Sequence, residues 1–264
     1  MLRNRLNMPP LLGRWFWLAY ALMLFVLFGM TIPQWLVSAD WGAVHRSSAL
    51  QQALMPVYFG GTMLLFPFSA CVSYAPRQVD DIKTGFIYWR LARGGVGRYT
   101  RIHLLGAFLT SGLAIGLAFL THAALWSLIA MPSDPLLYSS HEIPYAVDCI
   151  YLPWLTVLNG WTIIGWAAAS MCIVGGVWGT IGLMVAQWIP DKLLSVSLPT
   201  FLYFLWNSRA WLQLFGLDLP HMSDLYNDAL TWPMVRRSLL SLALLYAAAA
   251  ITYYFGVRRR AKHG

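Results

Sequence analysis

Pro76–Ile102 reads PRQVDDIKTGFIYWRLARGGVGRYTRI, and it is the only long polar interruption of the chain with a clear positive excess. Six of the eighteen Lys and Arg residues lie in it: Arg77, Lys83, Arg90, Arg93, Arg98 and Arg101. The sequence on either side is apolar for runs of about 20 residues or more, the length that crosses a ~30 Å hydrocarbon core. A charged segment framed by such runs is the pattern of an all-α, polytopic membrane protein with one sizeable surface feature.

Composition agrees. The chain is 59% hydrophobic and only 11% charged, with a mean hydropathy of +0.58, whereas a soluble domain carries roughly a quarter charged residues. Glu142 is the single glutamate. The net charge of +8 does not point to nucleic acid, because the cations flank apolar runs instead of sharing one amphipathic face. Cys71, Cys149 and Cys172 lie in different segments without CxxC or metal-ligand spacing, so neither an internal disulfide nor a metal site is expected.

Working outward, residues 1–264 read as one transmembrane domain with six spans. The first is about 16–37. Val37-Ser38-Ala39 has the form of a signal-cleavage site, but the apolar run is longer than the about 7–15 residues of a signal peptide's core. The second, about 53–74, contains Pro56 and Pro67, tolerated where neighbouring helices satisfy the freed carbonyls. The third, about 103–130, is long enough to tilt or to project beyond the bilayer. The fourth (about 159–188) is the richest in glycine, and the fifth and sixth are about 193–217 and 234–255.

Six spans place both termini on one face. Grouping the N-terminal segment, Pro76–Ile102, the turn at Lys192 and the tail Arg258–Lys262 puts fourteen of the eighteen cations there. By the excess of Lys and Arg in cytoplasmic loops, that face is cytosolic. A multi-pass protein of the cell membrane, in a bacterial plasma membrane, is the expected setting.

The residues for catalysis are missing. There is no HExxH, no paired glutamates, no GxSxG elbow and no repeated Asp motif. His103 and His122 share a run but stand about 28 Å apart at the helical rise, too far to clamp one haem, and each reads as an interfacial histidine near a helix end. No enzyme activity or bound cofactor is expected. No GxxxxGK[ST] occurs either, so ATP and Mg, if they drive the protein, belong to another chain. No acid falls within a confidently assigned span, which argues against coupling to an ion gradient. A gradient-driven transporter or channel, or a non-transport immunity or scaffold protein, remains the alternative.

Two further features bear on assembly and path. Arg209, in Trp206-Asn207-Ser208-Arg209, sits about 24 Å along the fifth run. It reads either as a snorkelling cation among interfacial Trp residues or, with Asn207, as a re-entrant break at an outer pore. Gly112/Gly116 and Gly175/Gly179 are GxxxG spacings that let helices approach closely, within the chain or at a dimer face.

Within the opening stretch, Asp80-Asp81 and Arg90/Arg93 are placed to complement the dipole of one short helix over Asp80–Arg93, stopped by Gly94-Gly95. Ile82, Phe86 and Trp89 form its apolar stripe, with Lys83 and Arg90 on a separate line. Lying on anionic headgroups and docking a soluble partner are both open to such a helix. The six-span layout, together with Tyr88-x-Arg90 and Gly97-Arg98-Tyr99-x-Arg101 leading into the third span, resembles the type-2 ATP-binding cassette (ABC) exporter permease family. That resemblance implies that Asp80–Arg93 is a coupling helix seated in a separate ATP-binding subunit, through Asp80, Asp81, Lys83, Phe86, Tyr88, Trp89, Arg90 and Arg93. It further implies a second permease chain, as homo- or heterodimer, and export of a hydrophobic or amphipathic peptide, lipid or drug.

Overall fold

A computed structural model describes residues 12–37, 53–54, 61–129, 160–207 and 232–263. The described residues form seven helices: α1 (Arg14–Val37), α2 (Gly61–Val72), α3 (Ala75–Lys83), α4 (Phe86–Ile129), α5 (Gly160–Trp188), α6 (Lys192–Asn207) and α7 (Trp232–His263). Three segments are long and apolar enough to cross a membrane, namely Phe86–Leu128, Ile164–Trp188 and Val235–Lys262. Arg14–Gly29 and Lys192–Leu205 are shorter apolar helices. Three long apolar helices in an all-α chain suit a multi-pass membrane protein.

The sorting of side chains on α4 suits lipid surroundings. Leu105, Leu109, Leu113, Leu117 and Leu120 are exposed along one face, a stripe that water would penalise and hydrocarbon accepts. The opposite face is small. A Cβ on Gly116 would collide with Cys172 Sγ, and one on Gly179 would collide with Ser111 Oγ. One on Gly175 would press on Ile115 at 3.0 Å. The two glycine stripes therefore pack α4 against α5 within the chain, where van der Waals approach replaces the hydrophobic drive that a bilayer removes.

Around this pair, Met23 and Leu27 of α1, Phe66 and Ala70 of α2, Tyr203 of α6 and Leu242 of α7 complete the main core. Cys71 and Cys172 are both free thiols, and Cys71 Sγ donates to the Trp178 carbonyl at 3.2 Å. Cys149 lies outside the described residues.

Several boundaries differ from those expected. α2 ends at Val72, and Ser73-Tyr74 turn the chain directly into α3. α4 begins well before His103, but Gly95, at φ 70° and ψ 161°, interrupts it and divides it into 86–94 and 96–129. At about 1.5 Å per residue the second piece is about 51 Å long, so it projects well past a hydrocarbon core. α7 runs on through Arg258–Arg260 to His263, so the basic tail is helical. Residues 208–217 of the expected fifth span, including Arg209, lie outside the described residues, and the described part of α6 runs to Asn207.

The largest correction concerns Asp80–Arg93, which is not one helix. α3 starts at Ala75 with Pro76 in its first turn, where a missing N–H costs nothing. It stops at Lys83 because Gly85 takes φ +72°. Gly85 N–H donates to Ile82 O at 3.1 Å and Thr84 N–H to Asp80 O at 3.0 Å, the left-handed glycine closure of a helix C-terminus. Asp80 and Asp81 thus sit in the last turns of α3, the wrong end for the dipole, and cations from elsewhere must hold them. The stripe facing the core is Ile87 and Leu91, both buried, while Phe86, Tyr88 and Trp89 are exposed. The proposed alignment of Ile82, Phe86 and Trp89 is broken by the turn.

Candidate functional site at the basic end of the bundle

α3, its Thr84-Gly85 turn and residues 86–94 make an elbow at the end of the bundle where the cationic segments gather. Asp80 takes Lys192 Nζ, at the start of α6, at 2.6 Å and Arg14, at the start of α1, at 3.7 Å. These pairs are partly exposed, and each contributes about 0–1 kcal/mol. They nevertheless bring Arg14, the elbow and the Lys192 turn to one place.

Beneath them lies a buried polar network. Arg90 NH1 donates to Asp81 Oδ2 at 2.8 Å and to His103 Nε2 at 3.3 Å. The two charged side chains are only 11% and 12% exposed. Since a guanidinium only donates, His103 Nε2 is an acceptor and the ring proton sits on Nδ1, directed at Tyr74 Oη 3.0 Å away. Tyr99 stacks on His103 with centroids 4.1 Å apart, and its hydroxyl donates to Gln78 Oε1 at 3.3 Å. Gln78 Nε2 in turn donates to Gln187 Oε1 of α5 at 2.9 Å. Arg260 of α7 donates through Nε and NH2 to the Gln187 carbonyl at 3.2 and 2.9 Å. The elbow is thereby bonded to α4 and α5, and through Gln187 to α7.

Burial raises the pKa of Asp81, and the nearby Arg90 and Arg77 only partly offset that. The ion pair is a desolvated one, and removing a single partner leaves an uncompensated charge. Arg90 Nε, also buried, has no hydrogen-bond partner among the described residues.

The outer surface of residues 86–94 is different in kind. Phe86 and Trp89 stack with centroids 5.1 Å apart and planes 19° from parallel. Arg90 lies 4.5 Å over Phe86 and Arg93 3.7 Å over Trp89, so cation, ring, ring and cation form one column. Lys83, Tyr88 and Arg93 are exposed beside it.

The eight residues expected to couple to a partner therefore separate into two sets. Lys83, Phe86, Tyr88, Trp89 and Arg93 face outward. Asp81 and Arg90 are internal, and Asp80 is bonded to Lys192 and Arg14. Tyr74, Gln78, Tyr99, His103 and Gln187 complete the network; Tyr74, Gln78 and Gln187 were not singled out from sequence, and Tyr99 and His103 were noted only in a motif and as a helix-end histidine. His103 is 1% exposed and His122 is fully buried, with Trp126 Nε1 donating to it at 2.9 Å. Neither is the interfacial histidine expected. Their partners lie across the bundle or a turn away, which residue type at a helix end does not disclose. Among the described residues no group of three or more His, Cys, Asp or Glu could hold a metal. No family model matches the chain, and no curated protein or solved structure shows significant similarity to it.

Proposed function

We propose that the chain is the membrane-embedded permease subunit of an ABC exporter. A separate ATP-binding subunit drives it, and it works with a second permease chain, identical or related. The observation that carries this reading is the two-sidedness of the elbow: its inner side is bonded into the bundle by Asp81, Arg90 and Gln78, while its outer side presents a rigid aromatic–cation column. A lever needs both a firm root and a grip. Residues 86–94 are the grip, α3 and the buried network the root. Movement imposed on Trp89 and Arg93 reaches α4 through His103 and α5 through Gln187.

In this account the protein has six spans, with both termini and the elbow in the cytosol of a bacterial cell. The substrate is hydrophobic or amphipathic, a peptide, lipid or drug, and leaves along an apolar route between permease chains. This chain binds no cofactor itself; ATP and Mg act on the partner.

A gradient-driven transporter is the second reading, favoured by the buried Asp81–Arg90–His103 contact, since intramembrane proton paths use such groups. Against it, Arg90 donates to both members of the contact at once and keeps the path closed.

Three experiments test the proposal. Purification from native membranes in mild detergent is expected to bring a stoichiometric ATPase with the chain, and repeated isolation without one excludes the reading. Cys149 is expected to react with an impermeant maleimide from outside intact cells, while labelling only after lysis reverses the orientation. Arg93→Glu is expected to leave the fold intact and abolish substrate-dependent ATP hydrolysis. Arg90 is unsuitable for that test, because its charge holds Asp81.

A further inference from the structure

α5 and α7 enclose a furrow whose two halves differ in chemistry. The lower half, about 320 Å³, is apolar and is walled by Ile181 and Met184 of α5, Leu202 and Leu205 of α6, and Leu245 and Ala248 of α7. The upper half, about 480 Å³, is lined by Tyr88, Gln187, Trp188, Gly256, Arg259 and Arg260. The two adjoin along α7. On α7 the lining runs from Leu245 through Ala248 and Thr252 to Gly256 and Arg259, steps of three or four residues that keep one helix face. Trp188 Nε1 donates to the Thr252 carbonyl at 3.3 Å where the halves meet.

The upper half is built for an anion. Among the described residues it is lined by two guanidiniums and no carboxylate. Arg259 lies over the Trp188 ring at 5.9 Å, and Arg260 is fixed by its two bonds to the Gln187 carbonyl. Gln187 is 1% exposed, and its side-chain Nε2 makes no hydrogen bond among the described residues. Gly256 lets α7 approach α5 closely at the floor of the upper half, since a Cβ there would stand 2.8 Å from Gln187 Cγ and 3.1 Å from Trp188 Nε1.

We infer that this furrow binds an anionic phospholipid, with its phosphate at Arg259 and Arg260 and an acyl chain along Leu245 and Ala248. From Ala248 to Arg259 is about 16 Å along the helix, the scale from a headgroup to mid-chain. A basic pocket at the membrane face over an apolar groove is the arrangement that selects such lipids. The inference needs only the membrane setting and is independent of the ABC reading.

The test is native mass spectrometry of the detergent-purified full chain offered equimolar phosphatidylglycerol and phosphatidylcholine with the same acyl chains. Phosphatidylglycerol is expected to be retained preferentially, and excess inorganic phosphate is expected not to displace it. Arg259→Gln lowers the preference about fivefold, the effect of one cation near an anionic headgroup. Ala248→Trp, an exposed position that fills the groove, lowers retention of lipid altogether. Lys262→Gln, on the same helix end but outside the lining, leaves the preference unchanged. Equal retention of both lipids overturns the inference, as does an equal loss in Lys262→Gln, which would mean attraction to the whole basic tail. Displacement by phosphate assigns the site to a soluble anion instead, and a lipid-free dimer broken by Ala248→Trp assigns the furrow to a second copy.

Discussion

In the middle of the bundle α5 is held by shape, with Gly175 and Gly179 against Ile115 and Ser111, and Cys172 against Gly112 and Gly116. Twelve residues or so further along, the same helix is held by direction: Gln187 accepts from Gln78 through its side chain and from Arg260 through its carbonyl. Close packing resists any change of spacing but tolerates small rotations in register. A hydrogen-bonded, charged end fixes orientation and fails abruptly when one member is lost. The middle therefore sets how far apart the helices lie, and the basic end sets which motion the elbow can pass to them.

The largest effect tests the basic end. Arg90→Met strands Asp81 and is expected to lower stability by about 3–5 kcal/mol. Adding Asp81→Leu should recover most of it, because an apolar pair is often no less stable than a buried ionic one. Thermal unfolding in detergent with a thiol-reactive dye reads both, with Cys149→Ser present so that the signal reports on Cys71 and Cys172. If the double variant is as unstable as the single one, the network is held by more than this pair.

Next comes the middle. Gly116→Leu overpacks against Cys172 and is expected to cost about 1–3 kcal/mol in the same assay. A neutral result would mean that α4 and α5 are less closely packed than described.

Tyr74→Phe removes only the partner of His103 Nδ1 and should cost about 1 kcal/mol. The pH dependence has a definite sign. The pKa of Asp81 is raised by burial, so the folded state binds its proton more tightly than the unfolded chain does. The stability this gives is complete below the ordinary carboxylate range and is lost as pH rises through the raised value. Asp81→Asn should flatten that decline, and an unchanged pH profile would show that Asp81 is not its source.

The smallest effect is Lys192→Gln, which loosens a partly exposed pair and should change stability by less than about 1 kcal/mol.

These variants also mark what the sequence could disclose. Helix type and approximate position follow from long apolar runs, because a hydrocarbon-length run leaves little alternative to a helix. Charge sidedness groups Arg14, the elbow and Lys192 on one face, but their shared contact at Asp80 is visible only in the structure. The buried network does not, since Tyr74 and His103 are 29 residues apart and Gln78 and Gln187 are 109 apart. Nothing local pairs a glutamine at one helix end with a glutamine at another. The break in Asp80–Arg93 was legible, because Lys83-Thr84-Gly85 carries a helix-closing glycine after a basic last turn. The spacing of Ile82, Phe86 and Trp89 reads instead as one continuous apolar stripe, whereas the two rings face outward in the stack with Arg93.

The central claim is that the outer face of the elbow is gripped by an ATP-binding partner. A photo-crosslinking amino acid at position 89, replacing Trp89 at the centre of the exposed column, tests it in native membranes. The account predicts one dominant protein adduct, identified by mass spectrometry as an ATP-binding subunit and lost when Arg93→Glu is added. Adducts confined to lipid, or to proteins that bind no nucleotide, would contradict it and leave the elbow as a membrane anchor.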